Sequence, residues 1–193
     1  LYTKKVLTSS SQPEVAVMQG VLELLQENKI NSSDIKMIIH GTTLATNAVI
    51  ERKGAKTCFI TTEGFRDVLD IGYESRFDQY DILIEKTMSL VPRKYRYVIE
   101  ERTDINGNII KPINTKKFQS LVDIIKNEKF ESIGIGFLHS YGNPKNENDL
   151  KEFLLKYLPD VEVSISSDVC PEIREYERFT TTVVNSYIKP LIS

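Results

Sequence analysis

Apolar positions follow two different rhythms along this chain, and the order of those rhythms gives a first outline of the fold. Val15, Met18, Val21, Leu22 and Leu25 recur at three- and four-residue intervals, the spacing of one helix face. Ser11-Gln12-Pro13-Glu14 stands just before them in the form of a capping box with proline in the first turn. Short β-type runs at 4–7 and 36–40 flank that helix. The second run passes through His40-Gly41-Thr42-Thr43 into a helical pattern expected over 43–53, with Gly54 as its C-terminal cap. Another strand is expected at 56–61, closed by Thr62-Glu63-Gly64.

The middle of the chain loses this regularity. Residues 76–93 mix Asp78, Tyr80 and Asp81 with Ile82, Leu83 and Ile84 and keep no period. Residues 95–103 alternate as a strand, 104–108 read as a turn, and 109–112 as the return strand of a hairpin. Alternation resumes with a helix near 115–128, a strand at 132–138, a helix near 145–157, a strand at 162–166 and a last helix near 174–189. The expected fold is α/β: a mixed, largely parallel sheet with flanking helices and a β-hairpin excursion. The whole chain, 1–193, is read as one region, with 76–113 as an irregular or hairpin insertion.

Composition narrows the class without naming an activity. The 193 residues are 40% hydrophobic and 27% charged, ordinary for a globular protein. A net charge of -2 gives no bulk attraction to nucleic acid or to an anionic membrane surface. No apolar run approaches the roughly 20 residues of a membrane span, and no basic-then-apolar signal opens the chain. Cys58 and Cys170 stand far apart, outside any CxxC motif, as expected of reduced thiols in a cytoplasmic protein. The chain begins at Leu1 and ends at Ser193 just beyond a predicted helix, so a piece of a longer polypeptide is expected.

Four segments carry candidate chemistry. A strand running into His40-Gly41-Thr42-Thr43 and then a helix would place N–H groups and hydroxyls at a sheet end, suited to an anion or a polarised carbonyl. Thr43 reads equally as a plain helix cap, and Asn47 would lie one turn further on. Arg66, in Glu63-Gly64-Phe65-Arg66-Asp67, is able to fork a carboxylate or phosphate or to pair with its acidic neighbours; Arg76 adds a second arginine nearby. His139-Ser140 lacks the G-x-S-x-G elbow of a hydrolase nucleophile. Gly134-Ile135-Gly136 lacks the third glycine of a dinucleotide loop. In the last helix Glu172, Glu175 and Arg178 fall three apart, the pattern of a solvated, ion-paired face, above a buried face of Tyr176, Phe179, Val183 and Tyr187.

Taken together these segments resemble a known family. His40-Gly41-Thr42-Thr43-Leu44-Ala45-Thr46-Asn47-Ala48 with Glu51-Arg52-Lys53-Gly54 is one. Thr61-Thr62-Glu63-Gly64-Phe65-Arg66-Asp67 is the next, followed by Phe137-Leu138-His139-Ser140-Tyr141 with Asn143-Pro144, and by Pro171-Glu172 with Arg174-Glu175-Tyr176-Glu177-Arg178. Their order and spacing resemble the N-terminal region of the hydantoinase A / 5-oxoprolinase family, which includes acetone carboxylase subunits. The resemblance implies kinship with the actin/Hsp70/sugar-kinase (ribonuclease H-like) superfamily. It further implies an ATP-dependent hydrolase that opens a cyclic amide such as a hydantoin, N-methylhydantoin or 5-oxoproline, with ATP and Mg as cofactors of the intact protein.

On the same resemblance His40, Thr43 and Glu175 become the candidate catalytic residues. Gly41, Thr42, Asn47, Arg66 and Arg178 become the substrate- or phosphate-binding candidates, and no metal ligands are assigned. The implied partners are the rest of the polypeptide and a hydantoinase B-type subunit. A carboxylase subunit of the same family and a non-catalytic assembly domain stay open beside the hydrolase. The family's acidic, glycine-rich Asp-x-Gly-Gly-Thr phosphate loop does not occur in these 193 residues, so the piece alone is expected to be inactive. Asn146-Glu147 replaces the His-Glu that relatives tend to carry after Asn-Pro.

Overall fold

A computed structural model describes residues 1–7, 13–73, 78, 80–84, 87–114 and 118–192. The predicted capping box at Ser11-Gln12, Arg76, and the predicted helix start at 115–117 lie outside the described residues. The chain divides into two units, Leu1–Thr42 and Thr43–Ser193, so the division falls inside the His-Gly-Thr-Thr segment.

The first unit holds helix α1 (Pro13–Glu27) and a short 3-10 turn at Ser32–Asp34. Lys4 pairs with Glu23 at 2.7 Å and with Glu27, and the small Gly20 lets Val6 lie against the helix. Among the described residues of this unit only Ala16 is buried. The predicted apolar face of α1 is therefore largely open, with Val15, Met18 and Leu22 each about half exposed. The predicted strands at 4–7 and 36–40 are not formed. A strand exists only through ladder bonds to a neighbour, and no described segment of this unit supplies one, so Met37, Ile38 and Ile39 lie exposed.

The second unit carries the sheet. Helix α2 (Leu44–Ile50) is shorter than predicted, and Arg52, not Gly54, takes the left-handed conformation after it (φ 57°). Gly54 has another use: a Cβ there would sit 2.1 Å from the Tyr187 ring. Strand β1 (Thr57–Thr62) is buried at every position, as expected of a central parallel strand covered on both faces. Short helix α3 (Val68–Ile71) and a 3-10 turn (Arg93–Tyr95) lead to β2 (Arg96–Ile99).

The run predicted as one strand over 95–103 is thus two. β2 pairs parallel with β1, while β3 (Arg102–Thr103) pairs antiparallel with β4 (Ile109–Lys111) to form the small hairpin. Helix α4 (Gln119–Glu128), β5 (Ser132–Gly136), α5 (Lys145–Tyr157), β6 (Glu162–Ile165), short α6 (Ser166–Val169) and α7 (Glu175–Ile192) complete the chain. The sheet order is β2-β1-β5-β6, all parallel.

One face of the sheet, through Cys58, Ile60, Ile133, Ile135 and Ile165, packs on Leu121, Val122 and Ile125 of α4 and Leu150 and Leu154 of α5. On the other face Phe59 meets Phe179 and Val183 of α7. That helix approaches closely because β5 carries glycines. A Cβ on Gly136 would come within 2.5 Å of Phe179 Cδ1, and one on Gly134 within 3.0 Å of Ser186 Oγ. The Gly-Ile-Gly run is a packing device, in line with its failure to match a cofactor loop.

Candidate functional site

At the carboxyl ends of β1, β5 and β6 the apolar core gives way to buried polar groups. Thr62 Oγ1 accepts the Leu138 N–H at 2.9 Å and donates to the Glu101 carboxylate. Asn146 Nδ2 donates to the second Glu101 oxygen at 2.8 Å. Burial pushes the Glu101 carboxyl above the usual glutamate range, while the hydrogen bonds from Thr62 and Asn146 oppose the shift.

Glu147, in the first turn of α5, is wholly buried. It accepts the N–H groups of Phe137 and Ser167, each at 2.9 Å, and the hydroxyls of Ser166 at 2.6 Å and Ser167 at 2.7 Å. An acid there also complements the helix dipole. The network ties the end of β5 to α5 and to the start of α6.

Arg178 of α7 completes it. Its guanidinium donates to Phe137 O at 2.8 Å, Glu172 O at 2.6 Å and Ser166 Oγ at 3.2 Å, and stacks 5.4 Å from the Tyr141 ring centre. Burial pulls its pKa down, with the nearby Glu175 and Glu147 charges working in the opposite direction. The family resemblance made Arg178 an anion-contact candidate, and its spacing placed it on a solvated face. The structure corrects that placement: the side chain is fully buried and its fork is directed at main-chain carbonyls. Glu175 opens α7, half-buried, with Oε1 3.8 Å from Arg178 Nη2.

The other candidates divide between the two units. His40, Gly41 and Thr42 are exposed in the first unit, and the strand expected to deliver them is absent. Thr43 is the N-cap residue of α2 by position, yet its hydroxyl makes no capping bond; it accepts Asn47 Nδ2 at 3.4 Å. So Thr43 and Asn47 come together, as do Glu175 and Arg178. Helix α7 packs against both α2 and α3, which places the residues following Thr43 and Arg66 around one helix.

His139 sits in the left-handed region (φ 55°) with Nδ1 3.4 Å from the Tyr141 hydroxyl. Ser140 is buried and bonded to Ser166 Oγ at 3.0 Å. The two form no nucleophile–base pair with each other. Arg66 donates Nη2 to Arg93 O at 2.9 Å, and its buried Nε–H finds no acceptor.

Glu101 and Ser166 were not singled out from sequence, and Glu147 entered only in the Asn146-Glu147 pair after Asn143-Pro144, without a role. The signal available was Glu147 three residues after Pro144, where an acid suits a helix start; nothing local marks Glu101 or Ser166. Among the described residues no three His, Cys, Asp or Glu side chains cluster closely enough to hold a metal ion. No described helix is long and apolar enough to cross a membrane.

A parallel sheet covered by helices on both faces, with its polar groups gathered at the carboxyl ends of the strands, defines an α/β protein of the kind that binds ligands at that edge. The chain belongs to the family described as Hydantoinase/oxoprolinase N-terminal region, which matches residues 1–158. It is 41% identical over 192 residues to an uncharacterized protein of Methanocaldococcus jannaschii, covering 98% of this chain and 28% of that one. It is 34% identical over 162 residues to caprolactamase subunit alpha of Pseudomonas jessenii, covering 83% of this chain and 23% of the subunit. The crystal structure of the ATP-dependent caprolactamase from that organism superposes with a TM-score of 0.86 at 29% identity, over 100% of this chain and 29% of that one. 5-Oxoprolinase 1 of Arabidopsis thaliana is 28% identical over 215 residues, covering 98% of this chain and 17% of that enzyme. The chain therefore spans less than a third of the length of each of these relatives.

Proposed function

We propose that this chain is part of an ATP-dependent hydrolase that opens a cyclic amide through a phosphorylated intermediate. The observation that carries the reading is the match over 98% of the chain to a 5-oxoprolinase and over its whole length to an ATP-dependent caprolactamase structure. A lactam carbonyl is a poor electrophile. Transfer of the ATP γ-phosphoryl group to the amide oxygen, with ADP leaving, makes the adjoining carbon open to water. Water adds there, the ring C–N bond breaks and the nitrogen departs as an amine, leaving an acyl phosphate. A second water attacks the acyl carbon, so the carboxylate takes both its oxygens from water and the original carbonyl oxygen leaves with phosphate. MgATP enters as substrate, and its cation finds no ligand cluster among the described residues.

In this reading His40, Gly41, Thr42, Thr43 and Asn47 contact substrate or phosphates, and Glu175 serves as base for the attacking water. Arg178 and Glu147 hold the strand ends on which that chemistry is built. The rest of the polypeptide supplies the phosphate loop, and a hydantoinase B-type subunit is the expected partner. The test uses the full-length polypeptide with 5-oxoproline, a hydantoin, caprolactam, or acetone plus bicarbonate. ADP release coupled to ring opening of one cyclic amide supports the proposal. ADP release only with acetone and bicarbonate supports the carboxylase, and turnover untouched by His40→Ala and Thr43→Ala supports an assembly role.

A further inference from the structure

Among the described residues, Lys29, Arg52, Lys129 and His139 hold a left-handed backbone without being glycine. The first three each stand one or two residues beyond a helix, where that conformation ordinarily ends helices. His139 instead follows a strand, three residues beyond the end of β5. An uncommon backbone that no helix end explains is a reason to ask what the side chain does.

The winding of the sheet gives the place a meaning. β1 leads through α3 to β2 on one side of it, whereas β5 leads through α5 to β6 on the other. Val68 and Leu69 of α3 pack with Phe59 and Phe179, while α5 packs on the opposite face. The connections leaving the neighbouring strands β1 and β5 thus part in opposite directions. Ligands of parallel α/β sheets bind in the crevice that such a parting leaves at the carboxyl ends of the strands. Leu138 N–H, bonded to Thr62 Oγ1 at 2.9 Å, ties the two strand ends together one residue before His139.

His139 is half-buried between the buried Leu138 and Ser140. The Tyr141 hydroxyl meets Nδ1 at 3.4 Å, which leaves Nε2 as the ring nitrogen for a ligand. The Arg178 guanidinium lies 5.4 Å from the centre of the Tyr141 ring, and its Nη2 is 3.8 Å from Glu175 Oε1. Contacts therefore run in one chain from His139 to the residue proposed as base.

Amide cleavage needs an acid beside that base, because the departing nitrogen must take up a proton. Histidine changes charge near neutral pH and both gives and regains a proton there. We infer that His139 is the general acid of the ring opening, an inference that rests on the reaction proposed above. The imidazolium gives its Nε2 proton to the ring nitrogen as the C–N bond breaks, and the bonding pair leaves with that nitrogen. The hydroxyl of the water adduct loses its proton to solvent and becomes the carbonyl of the acyl phosphate. The imidazole, now neutral, regains a proton from solvent, with Nδ1–H donating to the Tyr141 oxygen throughout.

The experiment is steady-state turnover of the full-length polypeptide, as parent, His139→Asn and His139→Gly, on whichever cyclic amide the parent opens with ATP. Asparagine and glycine both accept the left-handed backbone, and neither transfers a proton. In His139→Asn kcat should fall about 100-fold or more, with KM within about threefold of the parent and Tm nearly unchanged. Added imidazole, entering the space that His139→Gly opens, should raise the kcat of that variant about tenfold or more; a purely structural histidine gives no such response.

A kcat for His139→Asn within about threefold of the parent, a loss carried by KM or Tm, or a His139→Gly variant indifferent to imidazole would each overturn the assignment. Should His139→Gly fail to fold, the division between kcat and KM in His139→Asn decides the matter. A parent that opens no cyclic amide removes the proposed function and this assignment together. A parent that does so, beside an undiminished His139→Asn, removes this assignment alone.

Discussion

Replacing Arg178 by methionine separates two roles that look alike in sequence. If the side chain is a structural clamp, its loss strips acceptors at Phe137 O, Glu172 O and Ser166 Oγ of donors at 2.8, 2.6 and 3.2 Å. It also leaves the wholly buried Glu147 without the nearby positive charge. Breaking one side of such a buried arrangement typically costs about 3–5 kcal/mol. Methionine recovers part of the apolar contact with Phe179 but none of the hydrogen bonds. At roughly 2–4 °C per kcal/mol for a domain of this size, Tm should fall by about 6–20 °C.

Urea and thermal unfolding followed by circular dichroism measure this directly; the chain has no tryptophan. Arg178→Lys should recover only a minor share, because an ammonium cannot span three divergent acceptors. A methionine variant within about 1 kcal/mol of the parent, combined with lost turnover in the full-length polypeptide, would refute the clamp and return Arg178 to the anion-binding role that the family resemblance implies.

Three further outcomes are expected. Gly136→Ala forces a Cβ to within 2.5 Å of Phe179 and 2.7 Å of Phe59, so unfolding titrations should show a loss of about 1–3 kcal/mol. Glu101→Gln should raise stability at neutral pH and lose that advantage on acidification. A carboxyl whose folded pKa is raised by burial contributes fully below its ordinary value of 4.5 and loses that contribution as pH rises through the folded value; equal destabilisation at both ends of the pH range would contradict burial as the cause. His40→Ala and Thr43→Ala, both at exposed positions, should leave stability within about 0.5 kcal/mol. In the full-length polypeptide they should lower ATP-dependent ring opening by about 100-fold or more, and unchanged turnover would remove them from the site.

The parts of the fold legible in sequence are those where one physical signal dominates. The short, continuous β-type runs expected at 56–61 and 132–138 form strands at 57–62 and 132–136, within one or two residues of prediction, and the polar helix 145–157, with Leu150 and Leu154 four apart, stands where predicted. The pattern at 36–40 is just as strong, but a strand needs a neighbour, and local sequence carries no record of whether one is at hand. Residues 95–103 alternate well enough to read as one strand, and the Glu100-Glu101 pair that parts a sheet strand from a hairpin strand carries no turn residue to announce the break. Gly54 read as a cap because glycine so often ends helices, yet Arg52 takes that backbone and Gly54 makes room for Tyr187.

The candidate site was legible in its motifs and less so in its geometry. Arginine is rarely fully buried, so its spacing with Glu175 suggested a solvated face, and only the fold reveals the carbonyls that surround it. Glu101 and Glu147 lie 46 residues apart in sequence. Their approach to one strand edge comes from the parallel crossovers and from no local pattern.

The most direct test of the proposed chemistry is an isotope experiment on the full-length polypeptide. A cyclic amide carrying oxygen-18 in its carbonyl would be opened in the presence of ATP, and the inorganic phosphate analysed by mass spectrometry. Phosphorylation of the amide oxygen, followed by attack of the second water at the acyl carbon, predicts that phosphate acquires the label in step with ring opening. Ring opening that leaves all of the label in the product acid, or that proceeds without ADP formation, would contradict it.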